Sequence, residues 1–494
     1  MVVPSNGQRR QQPVPEPPKI TLKKLFLVAS VACGVQFGWA LQLSLLTPYV
    51  QDLGIPHAFA SLVWLCGPLS GLIVQPLIGH MSDRSMNKFG RRRPYIVVGA
   101  FSIAISILLV GFSADLGGLM GDPVVTGTRP MAIVVFVIGF WILDVGNNVI
   151  QGPCRALLAD LTGKDSRKTR IANAYFSLFM ALGNVLGYAT GSYGGWYSIF
   201  PFTVTKYCGI DCANLKSAFL LDVVFLTVTT YISISSAPEI PLTPRGDGTI
   251  ESLNEDQQEA FVWELVGSIR YLPISIWIIF TVTALTWIGW FPFVLFDTDW
   301  MGREIYKGDP DGGEIYHSGV RMGSFGLMLN SVILGVTSMT VEKLCRKWGA
   351  GLVLGISNII MFVSFLAMII IAIVANNMDY GPSGFPPKSI IIAALLVFTV
   401  LGAPLAITYS VPYAMISVKS EALGLGQGLA MGILNLAIVI PQMIVSLASG
   451  PWDQIFGGGN SPAIAVGAIA SFVSGLVAVI AIPRSYVSRR RASH

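Results

Sequence analysis

Apolar runs of about 20 residues alternate with short polar connections along almost the whole chain. An α-helix rises about 1.5 Å per residue, so a run of this length is sufficient to cross the hydrocarbon core of a bilayer. The pattern predicts an all-α membrane protein with twelve spans. We number these spans 1 to 12 and expect them at about 26–50, 58–81, 94–114, 131–155, 171–192, 215–236, 273–296, 322–342, 350–375, 389–416, 423–448 and 462–483.

Lysine and arginine are distributed unequally between the two sides of these spans. An even number of spans places both termini on one side, and that side holds 25 of the 32 basic residues, against 7 on the other. Cytoplasmic loops of membrane proteins carry an excess of Lys and Arg. Both termini are therefore predicted to be cytoplasmic.

The spans divide into two related halves of six. Gly38-Trp39 in span 1 matches Gly289-Trp290 in span 7, and similar charged loops follow spans 2 and 8. Internal repeats of this kind are typical of transporters built from two equivalent bundles. We predict a disordered cytoplasmic tail at 1–25, a first half at 26–236, a cytoplasmic linker at 237–272, a second half at 273–483 and a cytoplasmic C-terminal tail at 484–494.

Composition narrows the class of protein. Hydrophobic residues make up 53% of the chain, charged residues make up 12%, and the mean hydropathy is +0.65. A soluble domain carries about 25% charged residues, so a soluble protein is excluded. No loop is long enough for a catalytic domain, and the chain has neither a Walker A motif nor metal-ligand spacing, so we expect no enzyme, no metal and no cofactor. Cys208 and Cys212 form either a disulfide or two free thiols.

A polar stripe occupies one side of span 4. Asp144, Asn147, Asn148, Gln151 and Arg155 lie within roughly 60° of one line at about 100° per residue. An ionisable residue inside a membrane is costly and usually marks an ion or substrate path. The alternative is a hydrogen-bonded cluster that only holds helices together.

The two charged ends of this stripe are eleven residues apart. A regular helix separates Asp144 from Arg155 by about 17 Å, so we expect no contact between them. Between these two residues, the Gly152-Pro153 pair removes a helical hydrogen bond. This pair either forms a hinge in span 4 or prevents Asp144 from pairing with Arg155.

The loop between spans 2 and 3 combines an acid, two glycines and several arginines. A conformation-dependent ion-pair latch is one interpretation, and anchoring by positive charge on the cytoplasmic side is the other. The pattern is similar to the loop signature of the major facilitator superfamily. The candidate gating residues are Asp83, Arg84, Gly90, Arg91 and Arg92.

The end of span 7 concentrates charges beside an aromatic ring. If this segment is helical, Asp299 and Arg303 lie one turn apart and can pair. Trp300 next to such a pair suits a sugar, whose ring stacks on an indole and whose hydroxyls hydrogen-bond with the charges. A solvated salt bridge of little energetic value is the alternative.

Four segments of the chain are distinctive together: GWALQLSLLTPYVQDLGIPHAFASLVWLCGP, GRRRPY, FWILDVGNNVIQGPCRALLADL and DTDWMGRE. They resemble the plant sucrose transporters, which belong to the glycoside–pentoside–hexuronide cation symporters within the major facilitator fold. The resemblance extends from about Leu22 to Pro483 and is greatest for the vacuolar-type branch.

This resemblance implies proton-coupled symport of sucrose by alternating access. Transport of other glucosides is left open. A sugar sensor or an uncoupled sugar facilitator of the same fold is the alternative. The resemblance implies that Asp144 is the proton site and links His57 to sucrose access, although His57 also suits a plain helix start. The remaining candidate substrate and coupling residues are Gln36, Trp39, Asn147, Asn148, Gln151, Arg155, Asp297, Arg303 and Glu304.

The expected partners are sucrose, protons as the coupling ion and the lipid bilayer, with no nucleic acid. A monomer is compatible with the sequence, which does not fix the assembly state. The resemblance favours the vacuolar membrane and leaves the plasma membrane open.

Overall fold

The computed structural model describes residues 20–123, 127–162, 166–238, 272–310, 313–381, 384–423 and 427–482. All regular secondary structure in these ranges is helical, and they contain twelve helices long and apolar enough to cross a membrane. The predicted all-α architecture with twelve spans is confirmed.

The first half is built from the helices of spans 1 to 6 and short helices between them. Span 1 begins at Leu22, inside the predicted tail, because the apolar pattern already starts there. The helices are Leu22–Ala29 and Val31–Asp52 (span 1), His57–Val63, Cys66–Arg84 (span 2), Arg93–Gly111 (span 3), Ser113–Leu119, Pro130–Thr162 (span 4), Ser166–Ser192 (span 5), Trp196–Ile199 and Ile210–Ser236 (span 6), with a 3-10 turn at Pro201–Thr203.

The second half repeats this plan. Span 7 ends in a π-helical turn, and span 8 begins at Glu314, eight residues before its predicted start. The helices are Ile274–Trp300 with the turn Met301–Ile305 (span 7), Glu314–Ser338 (span 8), Val341–Trp348, Ala350–Asn377 (span 9), Lys388–Thr408 and Val411–Leu423 (span 10), Gln427–Ile455 (span 11) and Ser461–Ala481 (span 12).

Equivalent glycines pack equivalent spans in the two halves. A Cβ at Gly38 of span 1 would lie 2.4 Å from Oδ2 of Asp222 in span 6. A Cβ at Gly289 of span 7 would lie 2.4 Å from Oγ of Ser471 in span 12. Small residues allow helices to approach closely inside membranes. The matching contacts support the relation between the halves that the repeats indicate.

The interface between the halves is formed mainly by spans 1, 2 and 5 of the first half and spans 7, 8 and 11 of the second. Span 1 packs against span 7, span 5 against span 8, and the short helix His57–Val63 together with span 2 against span 11. Residues 239–271, which contain most of the predicted linker, lie outside the described residues, and the predicted division into five segments stays a prediction.

Span 4 is one continuous helix that includes Pro153. Gly152-Pro153 therefore does not interrupt the helix in this conformation. Cys208, in the loop before span 6, forms a disulfide with Cys212, in the first turn of span 6, which decides between the two alternatives for these thiols.

Candidate functional site

The centre of span 4 buries a carboxylate against span 2. Asp144 is 2% exposed, and the thiol of Cys66 donates a hydrogen bond of 2.6 Å to its Oδ2. Gly67 also faces the acid, and a Cβ there would make an ordinary van der Waals contact of 3.4 Å with the same oxygen. Because the bilayer core holds no water, these span 2 groups define the environment of the acid.

The two asparagines of the stripe make different contacts. Asn148 donates to Oγ of Ser70 at 2.8 Å and to the carbonyl of Asp144 at 2.9 Å, and its Oδ1 accepts from Gln75 at 2.6 Å. Asn147 points toward span 1, where its Nδ2 lies 3.5 Å from Oε1 of Gln42. The stripe is therefore the core of a polar network that includes spans 1, 2 and 4.

The end of the stripe nearer the predicted cytoplasmic side lines a cleft of about 300 Å³ between spans 1, 4 and 5. Gln36, Gln151 and Arg155 line this cleft. Gln36 donates to Oδ1 of Asn184 at 2.9 Å. Trp39, three residues further along span 1, is half-buried.

Arg155 is exposed within this cleft and does not reach Asp144. Its guanidinium carbon lies 4.9 Å from the centre of the Phe176 ring, and its Nη2 lies 3.7 Å from Sδ of Met180. The separation of acid and arginine expected from the helical rise is confirmed by these contacts.

The arginines of the loop before span 3 contact the end of span 4. Arg91 Nη2 and Arg92 Nε lie 2.6 and 3.0 Å from the same oxygen of Asp160, and Arg92 also donates to Ser82 at 2.6 Å. Gly90 has a φ of +109°, which a side chain would strain.

The side chains of Asp83 and Arg84 lie outside the described residues, so the predicted latch that involves them stays a prediction. The acid observed opposite the arginines is Asp160, which we did not single out from the sequence.

A second network fixes the end of span 7. Asp299 pairs with Arg303 at 3.3 Å, so the predicted one-turn pair is confirmed. Asp299 also accepts from Tyr316 at 2.5 Å and from Asn460 at 2.8 Å. Arg303 reaches Gln51 of span 1 as well. These bonds connect spans 1, 7, 8 and 12.

Glu304 and Asp297 both accept hydrogen bonds from backbone N–H groups. Glu304 accepts hydrogen bonds from the backbone of Asn460 and Ser461 and from the Ser461 hydroxyl, at the start of span 12. Asp297 is buried and accepts from the backbone N–H of Thr298 at 2.6 Å. Glu304 therefore stabilises a helix start.

His57 begins the helix His57–Val63, and its ring packs on Phe296 with a centroid distance of 4.8 Å. Its Nδ1 lies 3.7 Å from Asp299 and its Nε2 lies 3.5 Å from Asp453. A histidine from the first half is thus placed among the charges of the second.

The structure brings the predicted residues together in three groups rather than one. The span 4 network joins spans 1, 2 and 4 near their centres, the loop arginines contact the ends of spans 2 and 4, and the span 7 network joins spans 1, 7, 8 and 12. Sequence reasoning missed the partners that each group acquires from distant helices. A partial signal existed for span 2, where Cys66 and Ser70 are one helical turn apart and predict a polar face.

The family model of the Major Facilitator Superfamily matches residues 28–440. The chain belongs to this superfamily. Members of this superfamily carry solutes across membranes, so the predicted fold and the expectation of a non-enzyme are confirmed.

Two curated relatives within the superfamily match nearly the whole chain. "Sucrose transport protein SUT2" of Oryza sativa subsp. japonica is 68% identical over 484 residues, which are 96% of this chain and 96% of that relative. "Sucrose transport protein SUC4" of Arabidopsis thaliana is 63% identical over 488 residues, covering 98% and 95%. The resemblance to plant sucrose transporters is confirmed.

Solved structures of the superfamily share the fold. "Crystal structure of D-xylose-proton symporter" aligns with a TM-score of 0.61 at 15% identity and covers 94% of this chain and 98% of that one. "Inward open conformation of the xylose transporter XylE from E. coli" aligns with a TM-score of 0.62 at 16% identity, covering 95% and 98%. At these identities the comparison shows the fold alone.

Proposed function

We propose that the protein is a proton-coupled sucrose symporter that works by alternating access. Sucrose as the substrate is supported by the identity of 63% and 68% to sucrose transport proteins over nearly the full chain. The main support for proton coupling is the carboxylate of Asp144, which lies inside a membrane span and is only 2% exposed. An uncoupled facilitator or a sensor has no need of this costly group.

Asp144 serves as the proton site in this proposal. Protonation removes its charge and converts it from an acceptor into a group that also donates a hydrogen bond. It can then bind a sugar hydroxyl, so proton and sugar binding support each other. Asn148 and Gln75 add amide donors and acceptors beside it, which are groups suited to hydroxyl recognition.

The next part of the proposed sugar pathway, toward the predicted cytoplasmic side, is lined by Gln36, Gln151 and Arg155. Their cleft of about 300 Å³ joins two amides and a guanidinium with the Phe176 ring. Aromatic faces and planar charged groups together suit a polyhydroxylated ligand. Because Arg155 is exposed, it is placed to meet the sugar at the exit rather than to neutralise Asp144.

One proton is energetically sufficient for accumulation. Moving a single charge through ~100 mV supplies about 2.3 kcal/mol, which corresponds to roughly fifty-fold concentration at about 1.4 kcal/mol per tenfold. A pH difference across the membrane adds to this driving force.

We assign the protein to the vacuolar membrane with both termini in the cytoplasm. The support is the sequence resemblance to the vacuolar-type branch and the distribution of Lys and Arg. On an acidic vacuole the reaction moves sucrose into the cytosol. A fluorescently tagged protein seen on the vacuolar membrane supports this assignment, and one seen at the cell surface alone contradicts it.

Sucrose uptake into a cell without its own carrier tests the function. We expect accumulation above the external concentration that a protonophore abolishes. Uptake to equilibrium that ignores both the protonophore and pH would identify a facilitator. Absence of any sucrose flux by a protein that reaches the membrane would favour a sensor.

A further inference from the structure

The helix His57–Val63 belongs to the first half in sequence but packs on span 11 of the second half. The imidazole of His57 lies between two fully buried carboxylates of that half. Nδ1 is 3.7 Å from Oδ2 of Asp299, and Nε2 is 3.5 Å from Oδ2 of Asp453. In the protonated state both nitrogens of a histidine donate, one toward each carboxylate.

Both carboxylates are fixed by their own half of the molecule. Asp453 accepts a hydrogen bond of 2.7 Å from the backbone N–H of Ala463 through Oδ1, which directs Oδ2 toward His57. Asp299 is held by Tyr316 and Asn460, with Arg303 at 3.3 Å behind it. The two acids therefore form a preformed receptor for a group carried by the other half.

We propose that Asp453 is a positioning residue of the transport cycle, which, together with Asp299, holds His57 and keeps the non-cytoplasmic end of the pathway closed. Alternating access requires the two halves to separate at this end. His57 must then leave the receptor, and its contact with Asp453 contributes part of the free energy that this separation requires. This inference rests on the alternating-access cycle of the proposed function, but on neither the sugar nor the coupling ion.

Neighbouring bonds between the halves show that this end is closed. Thr47 of span 1 donates to the carbonyl of Leu295 at 2.9 Å, and Thr298 of span 7 donates to the carbonyl of Ser44 at 2.9 Å. His57 adds a contact with two carboxylates of the second half to this seam. A bond between the two halves, which must separate here, shifts the equilibrium between the closed and the open conformation of this end. A bond within one half does not.

Asp453→Asn separates the two roles of this side chain. The amide retains the size and an oxygen that can accept from Ala463, but it loses the charge that faces His57. Asp122→Asn is the matched control, because Asp122 is also buried and accepts hydrogen bonds of 3.1 and 2.7 Å from Met131 and Ala132 near the start of span 4. These contacts of Asp122 lie within the first half.

A cysteine at Ser44 reports opening of this end. Ser44 is completely buried at the seam, and Cys33, Cys66 and Cys154, three of the free thiols of the described chain, are buried as well. We would measure labelling of Ser44→Cys in intact membranes by a membrane-impermeant maleimide from the non-cytoplasmic side. The same protein without the reporter gives the background.

We expect Asp453→Asn to increase the labelling rate about tenfold and Asp122→Asn to leave it unchanged. Adding Asp453→Asn to His57→Gln should give no further increase, since His57→Gln already removes the contact that Asp453 makes with the imidazole. Equal labelling rates in the Asp453 and Asp122 variants would overturn the proposal, and so would additive effects of the two gate changes. Labelling requires no sucrose and no proton gradient, so failure of sucrose uptake would count against the proposed function alone.

Discussion

The thiol of Cys66 donates a hydrogen bond of 2.6 Å to Oδ2 of Asp144, across 78 residues of sequence. This bond links span 2 to the acid in which the proposed proton coupling resides. It makes the thiol part of the proposed proton site, although a cysteine in an apolar helix commonly acts only as a small hydrophobic side chain.

Removal of this donor should impair transport. A hydrogen bond to a charged group contributes about 1.5–3 kcal/mol, and a thiol is a weak donor at the low end of this range, so we expect Cys66→Ala to lower the initial rate of sucrose uptake by roughly tenfold. Cys66→Ser, which keeps a donor, should retain most of the rate. Cys33→Ala removes another buried free thiol and serves as the control. Equal rates for the two alanine variants would exclude a role of the thiol at Asp144.

Close packing of spans 1 and 5 should depend on Gly187. A Cβ there would lie 2.6 Å from the carbonyl oxygen of Phe37, whereas a Cβ at Gly79 meets no atom within 4 Å. We expect Gly187→Ala to lower the thermal unfolding midpoint in detergent. Gly79→Ala should leave it unchanged or raise it, since alanine is about 0.5–1 kcal/mol better than glycine inside a helix. A midpoint for Gly187→Ala equal to that of Gly79→Ala would disprove the packing role.

Two neighbouring arginines contact one carboxylate but differ in burial. Arg92 is 4% exposed and also bonds Ser82, whereas Arg91 is half-buried. Removing one partner of a buried pair costs about 3–5 kcal/mol, and a surface pair contributes about 0–1 kcal/mol; the Arg92 pair lies between these limits because Arg92 is buried and Asp160 is 37% exposed. Arg92→Ala should therefore reduce thermal stability and uptake far more than Arg91→Ala. Similar losses in both variants would argue that burial has no influence here.

Glu304 should act through the start of span 12 rather than through sucrose. Its oxygens accept from Asn460 and Ser461, and loss of a helix cap costs about 0.5–2 kcal/mol. We expect Glu304→Ala to lower the thermal midpoint and the maximal uptake rate at an unchanged KM for sucrose. Glu314→Ala, in an exposed acid at the start of span 8, is the control. A raised KM without loss of stability would place Glu304 at the sugar.

The spans and the polar stripe could be predicted because each depends on neighbours in the sequence. Helix length follows from apolar run length. The positions of Asp144 and Arg155 on one face, and their separation, follow from helix geometry. The pairing of Asp299 with Arg303 depends on one helical turn and is predictable for the same reason.

The partners of these residues could not be predicted, because they come from other helices. Cys66 lies 78 residues from Asp144, and Asp453 approaches His57 only when the two halves pack together. The spacing of Cys66 and Ser70 predicts a polar face on span 2, but no local pattern identifies Asp144 as the partner of Cys66 or Asp453 as the partner of His57. The span 7 charges similarly suggested a sugar site, but their bonds mainly fix helix ends. The sequence therefore indicates which residues carry the chemistry, but it does not indicate which residues of distant helices contact them.

Coupling through Asp144 is the central claim, and proton movement driven by sucrose tests it most directly. Purified protein in liposomes that contain a pH-sensitive dye would receive an inward sucrose gradient without any imposed pH difference. The wild-type protein should acidify the lumen as sucrose enters. Asp144→Asn should exchange labelled sucrose without acidification, because its amide cannot release a proton. Sucrose entry without acidification in the wild type, or acidification by Asp144→Asn at the wild-type rate, would contradict the account.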